Sequence, residues 1–196
     1  MPPVMTRAER QQRTRDELVD AAERLFSSQG FHATSIDAVA AEAGFTKGAV
    51  YSNFDSKEDL FFAVYERRVD RRVEEMQAAR REASTAAEAF ERMAPGSEGR
   101  REPGDGWLAV FFEFWAHVLR HPELKQRFAA QHRRVIETVA AALEVPGDSY
   151  KVATAHFAMQ VGLQLERLTQ PDVVDADFGR RMGLTLMDGG RDGLPG

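Results

Sequence analysis

Apolar residues recur at helical spacing along most of the chain, and this pattern limits the fold more than any other feature of the sequence. Leu18, Ala22 and Phe26 follow one another at four-residue steps, which places them on one face of a helix. Strand signals, such as alternating β-branched residues or hairpin turn pairs between apolar runs, are not found. The sequence therefore predicts an all-α protein with about nine helices.

Glycine, proline and capping residues mark the expected helix ends. The predicted helices span about residues 14–28, 36–43, 46–53, 57–80, 86–93, 107–120, 122–143, 149–169 and 174–187. Residues 93–106 contain six Gly and Pro residues and cannot hold a regular helix. We expect an N-terminal domain at 1–56, a C-terminal helical domain at 57–188 and a disordered tail at 189–196.

Composition excludes several classes of protein. Among 196 residues, 26 Lys and Arg stand against 31 Asp and Glu, so the net charge of −5 argues against a polycationic nucleic-acid coat. Cysteine is absent, which excludes disulfides, thiolate metal sites and cysteine nucleophiles. The longest apolar stretch, 107–119, is shorter than the roughly 20 residues that span a bilayer. We expect a cytoplasmic protein without a bound cofactor or metal.

Residues 35–54 have the organisation of a helix-turn-helix, in which two short helices are joined by a tight turn at Gly44. Val50 and Phe54 are expected to face the core. The outward residues are then Thr46, Lys47, Gly48, Tyr51, Ser52 and Asn53. These short polar groups, one cation and one phenol suit contacts with phosphates and base edges. A plain helical hairpin with a polar surface would show the same pattern.

The sequence of residues 30–64 is more specific than the helix-turn-helix pattern alone. Residues 30–64, GFHATSIDAVAAEAGFTKGAVYSNFDSKEDLFFAV, resemble the N-terminal DNA-binding domain of the TetR family of transcriptional regulators. The matching pieces include Ala33-Thr34-Ser35-Ile36, Ala43-Gly44, Lys47-Gly48-x-x-Tyr51-x-x-Phe54 and Ser56-Lys57-Glu58. Members of this family are dimeric and all-α, with a variable C-terminal ligand domain.

The resemblance implies roles for individual residues. Thr34 and Ser35 would touch phosphate at the start of the second helix, and Lys57 would reach the DNA backbone. Thr46, Lys47 and Gly48 would open the recognition helix, and the hydroxyl of Tyr51 would reach a phosphate. Ser52 and Asn53 replace the bulkier residues of many members, which affects the operator sequence.

Charge within the predicted DNA-binding region is unfavourable. Residues 1–60 carry seven Lys and Arg but ten Asp and Glu, a net charge of −3. Residues 1–15, however, carry four Arg against one Glu. They are interpreted as a flexible basic arm that follows the DNA, or else as a solubilising tail.

The helix at 107–120 is apolar nearly all round, so it must be central in its domain. Its aromatic side chains either fill a core or line a ligand cavity. The candidate ligand-binding residues are Phe111, Phe114, Trp115, His117 and, from a later helix, Met159. Glu113 and His117 could anchor a ligand or form a local pair. The spacing of His117 and His121 could suit a metal, but His121 precedes Pro122 at a helix end, so no metal is expected.

The last two helices resemble the dimerising pair of the family, with one apolar stripe of Phe157, Val161, Leu165 and Leu168 and a second of Phe178, Met182 and Leu186. Together these features predict a homodimeric repressor that binds a palindromic double-stranded DNA operator and is released by a small apolar or amphipathic ligand. The alternative is a dimeric small-molecule-binding or adaptor protein without DNA binding. Motifs of common enzymes, such as G-x-S-x-G, a P-loop or H-E-x-x-H, are not found, so no enzyme activity is expected.

Overall fold

The computed structural model describes residues 5–85, 88, 89, 92, 106–143 and 148–189, and these residues form helices without strands. The helices are α1 (Arg7–Gln29), α2 (Ile36–Ala43), α3 (Lys47–Tyr51), α4 (Lys57–Glu82), α5 (Trp107–Arg120), α6 (Pro122–Leu143), α7 (Ser149–Thr169) and α8 (Ala176–Gly189). The all-α prediction is confirmed. Most of the predicted helix at 86–93, the break at 93–105 and the tail at 190–196 lie outside the described residues.

The first helix begins seven residues earlier than predicted, and a capping box is the reason. The backbone N–H of Glu9 donates to Oγ1 of Thr6 at 3.2 Å, and the N–H of Thr6 donates to Oε2 of Glu9 at 2.6 Å. Two amides at the helix start are thereby satisfied. The arginines at 7, 10, 13 and 15 lie on α1, so the prediction of a flexible basic arm is wrong from Arg7 onward.

The chain divides into two compact units. The first unit contains α1, α2, α3, the part of α4 up to Arg68, and α5. The second contains the rest of α4 from Val69, α6 from Gln126, and both α7 and α8. The predicted boundary at residue 56 divides a DNA-binding domain from a ligand-binding and dimerisation domain. This boundary stays a prediction.

Phenylalanine rings form the core of the first unit. Phe61 of α4 and Phe114 of α5 are both fully buried, and their rings stack with centroids 3.9 Å apart. Phe31, from the segment before α2, meets the edge of Phe114 at 5.1 Å and that of Phe61 at 5.4 Å. These contacts fix α5 against α4 and against the segment that leads into α2.

The second unit has an aliphatic core and an uncovered apolar face. Met76 of α4, Ile136 of α6 and Val152 of α7 are buried. On the C-terminal half of α7, Leu165 is 45% exposed and Leu168 is 55% exposed. None of the helices in the described part of the chain combines the length and apolar character needed to cross a membrane.

Candidate nucleic-acid interface

Local capping builds the helix-turn-helix as predicted. Oγ of Ser35 accepts from the N–H of Ala38 at the start of α2, and Oγ1 of Thr46 accepts from the N–H of Ala49 at the start of α3. Gly44 takes the left-handed conformation, φ 73°, that ends many helices. Ser35 thus specifies the start of α2, and Gly44 and Thr46 specify the turn between α2 and α3.

Two buried side chains of this segment orient α3. Val50 is fully buried and Phe54 is 2% exposed, which confirms that both face the core. Arg15 of α1 holds the residues that follow α3, because its Nη1 donates to the carbonyl oxygen of Asn53 at 2.7 Å and its guanidinium lies 4.2 Å from the ring centre of Phe54. The opposite face of α3 is left toward solvent.

Most of the predicted DNA-contacting residues share this exposed face. The exposed residues on α3 and at its ends are Thr46, Lys47, Gly48, Tyr51 and Ser52, and Ser35 is exposed at the start of α2. Tyr51 is 51% exposed. A Cβ at Gly48 would come no closer than 3.7 Å to Oγ1 of Thr46, so the fold of the chain itself does not require glycine there.

Ser52 and Asn53 are tied to the backbone of α3. Oγ of Ser52 and Nδ2 of Asn53 each donate to the carbonyl oxygen of Ala49 at 2.8 Å. Nδ2 of Asn53 also lies 3.3 Å from Oγ of Ser52, and the Asn53 side chain is only half-exposed. Both side chains therefore have their orientation set before any DNA is bound.

Two predicted phosphate contacts need correction. Thr34 is 1% exposed, and its hydroxyl donates to the carbonyl oxygen of Gly30 at 2.8 Å. Nζ of Lys57 donates to the carbonyl oxygens of Phe31, His32 and Thr34 at 3.0, 3.3 and 3.2 Å. Both side chains stabilise the segment before α2, because they donate to carbonyl groups that have no backbone N–H of a helix or strand as a partner.

The ammonium of Lys47 is paired with a carboxylate that sequence reasoning missed. Its Nζ lies 3.0 Å from Oδ2 of Asp37 on α2, and both side chains are more than half exposed. The hydrogen bond from this ammonium to Asp37, followed by the attraction between the two charges, raises the pKa of Lys47. Asp37 and Lys47 belong to different helices, so no local spacing rule relates them.

The predicted ligand-binding residues are divided between the two units. Phe111, Phe114, Trp115 and His117 belong to the first unit, whereas Met159 belongs to the second. Phe111 and Phe114 are 6% and 0% exposed and pack on other aromatic rings, so they fill the core. One side of α5 packs on α1, α4 and the segment before α2, whereas Ala109, Ala116 and Leu119 of the same helix are exposed.

Glu113 and His117 do not pair with each other. Oε2 of Glu113 accepts from the N–H groups of Phe31 and His32 at 2.8 and 3.3 Å. A Cβ at Gly30, where φ is 87°, would lie 2.5 Å from Oε1 of Glu113, so glycine is needed for this approach. His117 instead lies 3.4 Å from Glu58. Burial lowers the pKa of His117, as does His121, while Glu58 opposes the shift.

Two family models match the chain. One, described as bacterial regulatory proteins of the tetR family, matches residues 18–64. The other, described as the C-terminal part of BetI-type transcriptional repressors, matches residues 82–189, which is more than half of the chain.

Individual relatives agree with these matches. The HTH-type transcriptional regulator YfiR of Bacillus subtilis (strain 168) is 26% identical over 144 residues, which cover 74% of this chain and 70% of YfiR. The HTH-type transcriptional regulator AcrR of Shigella flexneri is 47% identical over 55 residues, 28% of this chain and 26% of AcrR.

Solved structures share the fold. A putative transcriptional regulator from Saccharomonospora viridis, in complex with choline, superposes with a TM-score of 0.72 at 20% identity and covers 90% of this chain and 96% of that one. A putative TetR-family regulator from Mesorhizobium loti gives 0.70 at 21% identity, with 95% and 97% covered. At these identities the likeness concerns the fold alone.

Proposed function

The chain belongs to the TetR family of transcriptional regulators, and from this premise we propose that it is a repressor that binds a palindromic operator as a homodimer and releases it when a small molecule binds the second unit. A regulator acts where the DNA is, so the proposal places it in the cytoplasm. The relatives reported above are transcriptional regulators, and the proposal includes no catalytic activity.

The observation that carries the proposal is the exposed face of α3. A buried side, formed by Val50 and Phe54, fixes the helix, and the opposite side presents Thr46, Lys47 and Tyr51 to solvent. Such a helix fits the major groove, where side chains reach base edges and phosphates. The residues proposed to contact DNA are Ser35, Thr46, Lys47, Gly48, Tyr51, Ser52 and Asn53.

The proposal of a homodimer is supported by the uncovered face of α7. Leu165 and Leu168 are about half exposed in the single chain, on a helix that contacts α8. Pairing with the same face of a second copy would bury these leucines with two-fold symmetry. Two α3 helices would then read two half-sites of one operator.

Selection of bound sequences from a random pool of double-stranded DNA tests the function. We expect enrichment of one palindromic sequence whose half-sites lie about one helical turn, or a multiple of it, apart. Enrichment of a single half-site would contradict the dimeric reading. A pool that stays random would contradict DNA recognition and favour the small-molecule-binding or adaptor alternative.

Replacing Lys47 with alanine is expected to weaken operator binding and to lower the slope of log affinity against log salt by about one, because one phosphate contact is lost. Replacing Asp37 with asparagine should strengthen binding, because it frees the ammonium of Lys47 and removes a negative charge beside the DNA. Both variants are measured by fluorescence anisotropy on the selected operator over a series of salt concentrations.

Lys151 provides a matched control for this experiment. It forms the same kind of exposed ion pair, with Nζ 3.3 Å from Oδ2 of Asp148, but it lies in the second unit. Lys151→Ala should leave the salt slope unchanged. A Lys47→Ala protein with the wild-type slope would show that Lys47 does not contact phosphate.

A further inference from the structure

The second unit contains a groove of about 530 Å³. One wall is a face of α4, lined by Val73, Met76, Gln77, Arg80 and Arg81, and the other is a face of α6, lined by Arg134, Glu137, Thr138 and Ala141. Both sets follow the three- and four-residue steps of a helix face. The volume lies within the range of about 300–1,000 Å³ that is usual for small-molecule sites.

The walls combine apolar surface with positive charge. Met76 is 4% exposed, Val73 is half-buried, and both present aliphatic groups to the groove. Three arginines and one carboxylate, that of Glu137, line the groove, and a second carboxylate, that of Asp70, pairs with Arg134. Arg134 is held in place by Asp70 at 2.5 Å and by Oε1 of Gln131 at 2.8 Å.

Helix electrostatics account for only part of this charge. Arg80 and Arg81 lie in the last turn of α4, where cations complement the exposed carbonyl groups of a helix end. Arg134 lies in the middle of α6, so the same argument does not apply to it. Cations from two helices thus converge on one apolar groove.

We propose that this groove binds an amphipathic carboxylate, with its apolar chain along Met76 and Val73 and its carboxylate on the arginines. A guanidinium offers paired donors that match the two oxygens of a carboxylate. Quaternary ammonium ligands are bound in aromatic cages, and none of the nine side chains that line the groove is aromatic. Release of the operator by this ligand rests on the proposed function, whereas the binding itself does not.

Three ligands with the same chain and different head groups test the proposal. Calorimetric titration of the full chain compares decanoate, 1-decanol and decyltrimethylammonium, each below the concentration at which it aggregates. We expect decanoate to bind at least about tenfold more tightly than decanol, because of the charged hydrogen bonds. Decyltrimethylammonium is expected to bind least.

Variants assign the binding to the groove. Replacing Arg81 and Arg134 together with glutamine should reduce the affinity for decanoate to about that for decanol. Arg133→Gln is the matched control, since Arg133 is exposed on the same helix but does not line the groove. Ala141→Phe, which fills one end of the groove, should weaken decanoate and decanol alike. Thermal unfolding of each variant shows whether the fold is kept.

Several results would overturn the proposal: equal affinity for the three ligands, preference for the ammonium, absence of saturable decanoate binding, or an unchanged decanoate affinity in the double arginine variant. The proposed function is judged separately, by operator binding with and without decanoate. If decanoate binds in the groove but operator affinity does not change, the ligand site stands and its role as the effector site fails.

Discussion

Replacing Phe114 with alanine is expected to lower the free energy of unfolding of the first unit by about 3–5 kcal/mol, the usual cost of emptying a buried phenylalanine site. The ring is fully buried and stacks on Phe61 at 3.9 Å. It also meets Phe31 and Phe62 edge-on at 5.1 Å. Its removal leaves a cavity where α5, α4 and the segment before α2 meet, so operator affinity should fall as the folded fraction falls.

Tryptophan fluorescence during urea unfolding measures this effect. The two tryptophans of the chain, Trp107 and Trp115, both lie on α5 in the first unit, so their emission reports on that unit. Leu119→Ala is the matched control, because Leu119 lies on the same helix but is 60% exposed, and its loss should cost less than about 1 kcal/mol. Similar urea midpoints for the two variants would contradict the central position of Phe114.

Acidification between pH 6.5 and pH 4 is expected to destabilise the second unit, and His156 alone is expected to contribute roughly 3 kcal/mol. Burial on α7, followed by the positive charge of Arg72, lowers the pKa of His156 from 6.5 to about 4. Between these two pH values the unfolded chain binds a proton at this histidine and the folded chain does not. The contribution of His156 to the free energy of unfolding is therefore fully present above pH 6.5 and is lost as the pH decreases. Below pH 4 it changes little further.

Comparison of the wild type with His156→Gln isolates this effect, because glutamine does not titrate. Far-UV circular dichroism follows thermal unfolding at several pH values, and the variant should lose less stability than the wild type between pH 6.5 and pH 4. Burial also lowers the pKa of His132, which adds a loss of the same sign in both proteins. His121→Gln is the control, since His121 is half-exposed and lies in the first unit. Parallel pH profiles for wild type and His156→Gln would refute the prediction.

The helix-turn-helix could be predicted from the sequence because its determinants are local. Ser35, Gly44 and Thr46 each act on backbone groups within a few residues, and such contacts leave a signature in a short window of sequence. The starts of α5, α6 and α7 also agree with prediction, since Gly106, Pro122 and Asp148 stand at these helix starts. The apolar repeat predicts a later start for α1 than the structure shows, because the capping pair of Thr6 and Glu9 precedes that repeat.

The roles of several polar residues could not be predicted because their partners are distant in the chain. Lys57 contacts a carbonyl group 26 residues away, and Glu113 contacts an amide 82 residues away. From the sequence alone, a lysine at the start of a helix is equally consistent with a bond to phosphate or to protein. The apolar periodicity of α5 correctly indicated burial, but it carries no information about which helices provide the neighbours. Arg134 similarly looks like part of a solvated helix face until α4 is placed beside it.

The position of α5 in the first unit also has a consequence for synthesis of the protein on the ribosome. Phe31 is translated 82 residues before Glu113 of α5, whose carboxylate accepts from the backbone N–H of Phe31. At about 5–20 residues per second, this gap lasts roughly 4–16 s. During that time the DNA-reading helices lack their supporting helix, and the aromatic surface of Phe31 and Phe61 is open to chaperones. A chain terminated before residue 107 would lack the part of the aromatic core that α5 supplies, so we expect incomplete translation products not to compete with the finished protein for DNA.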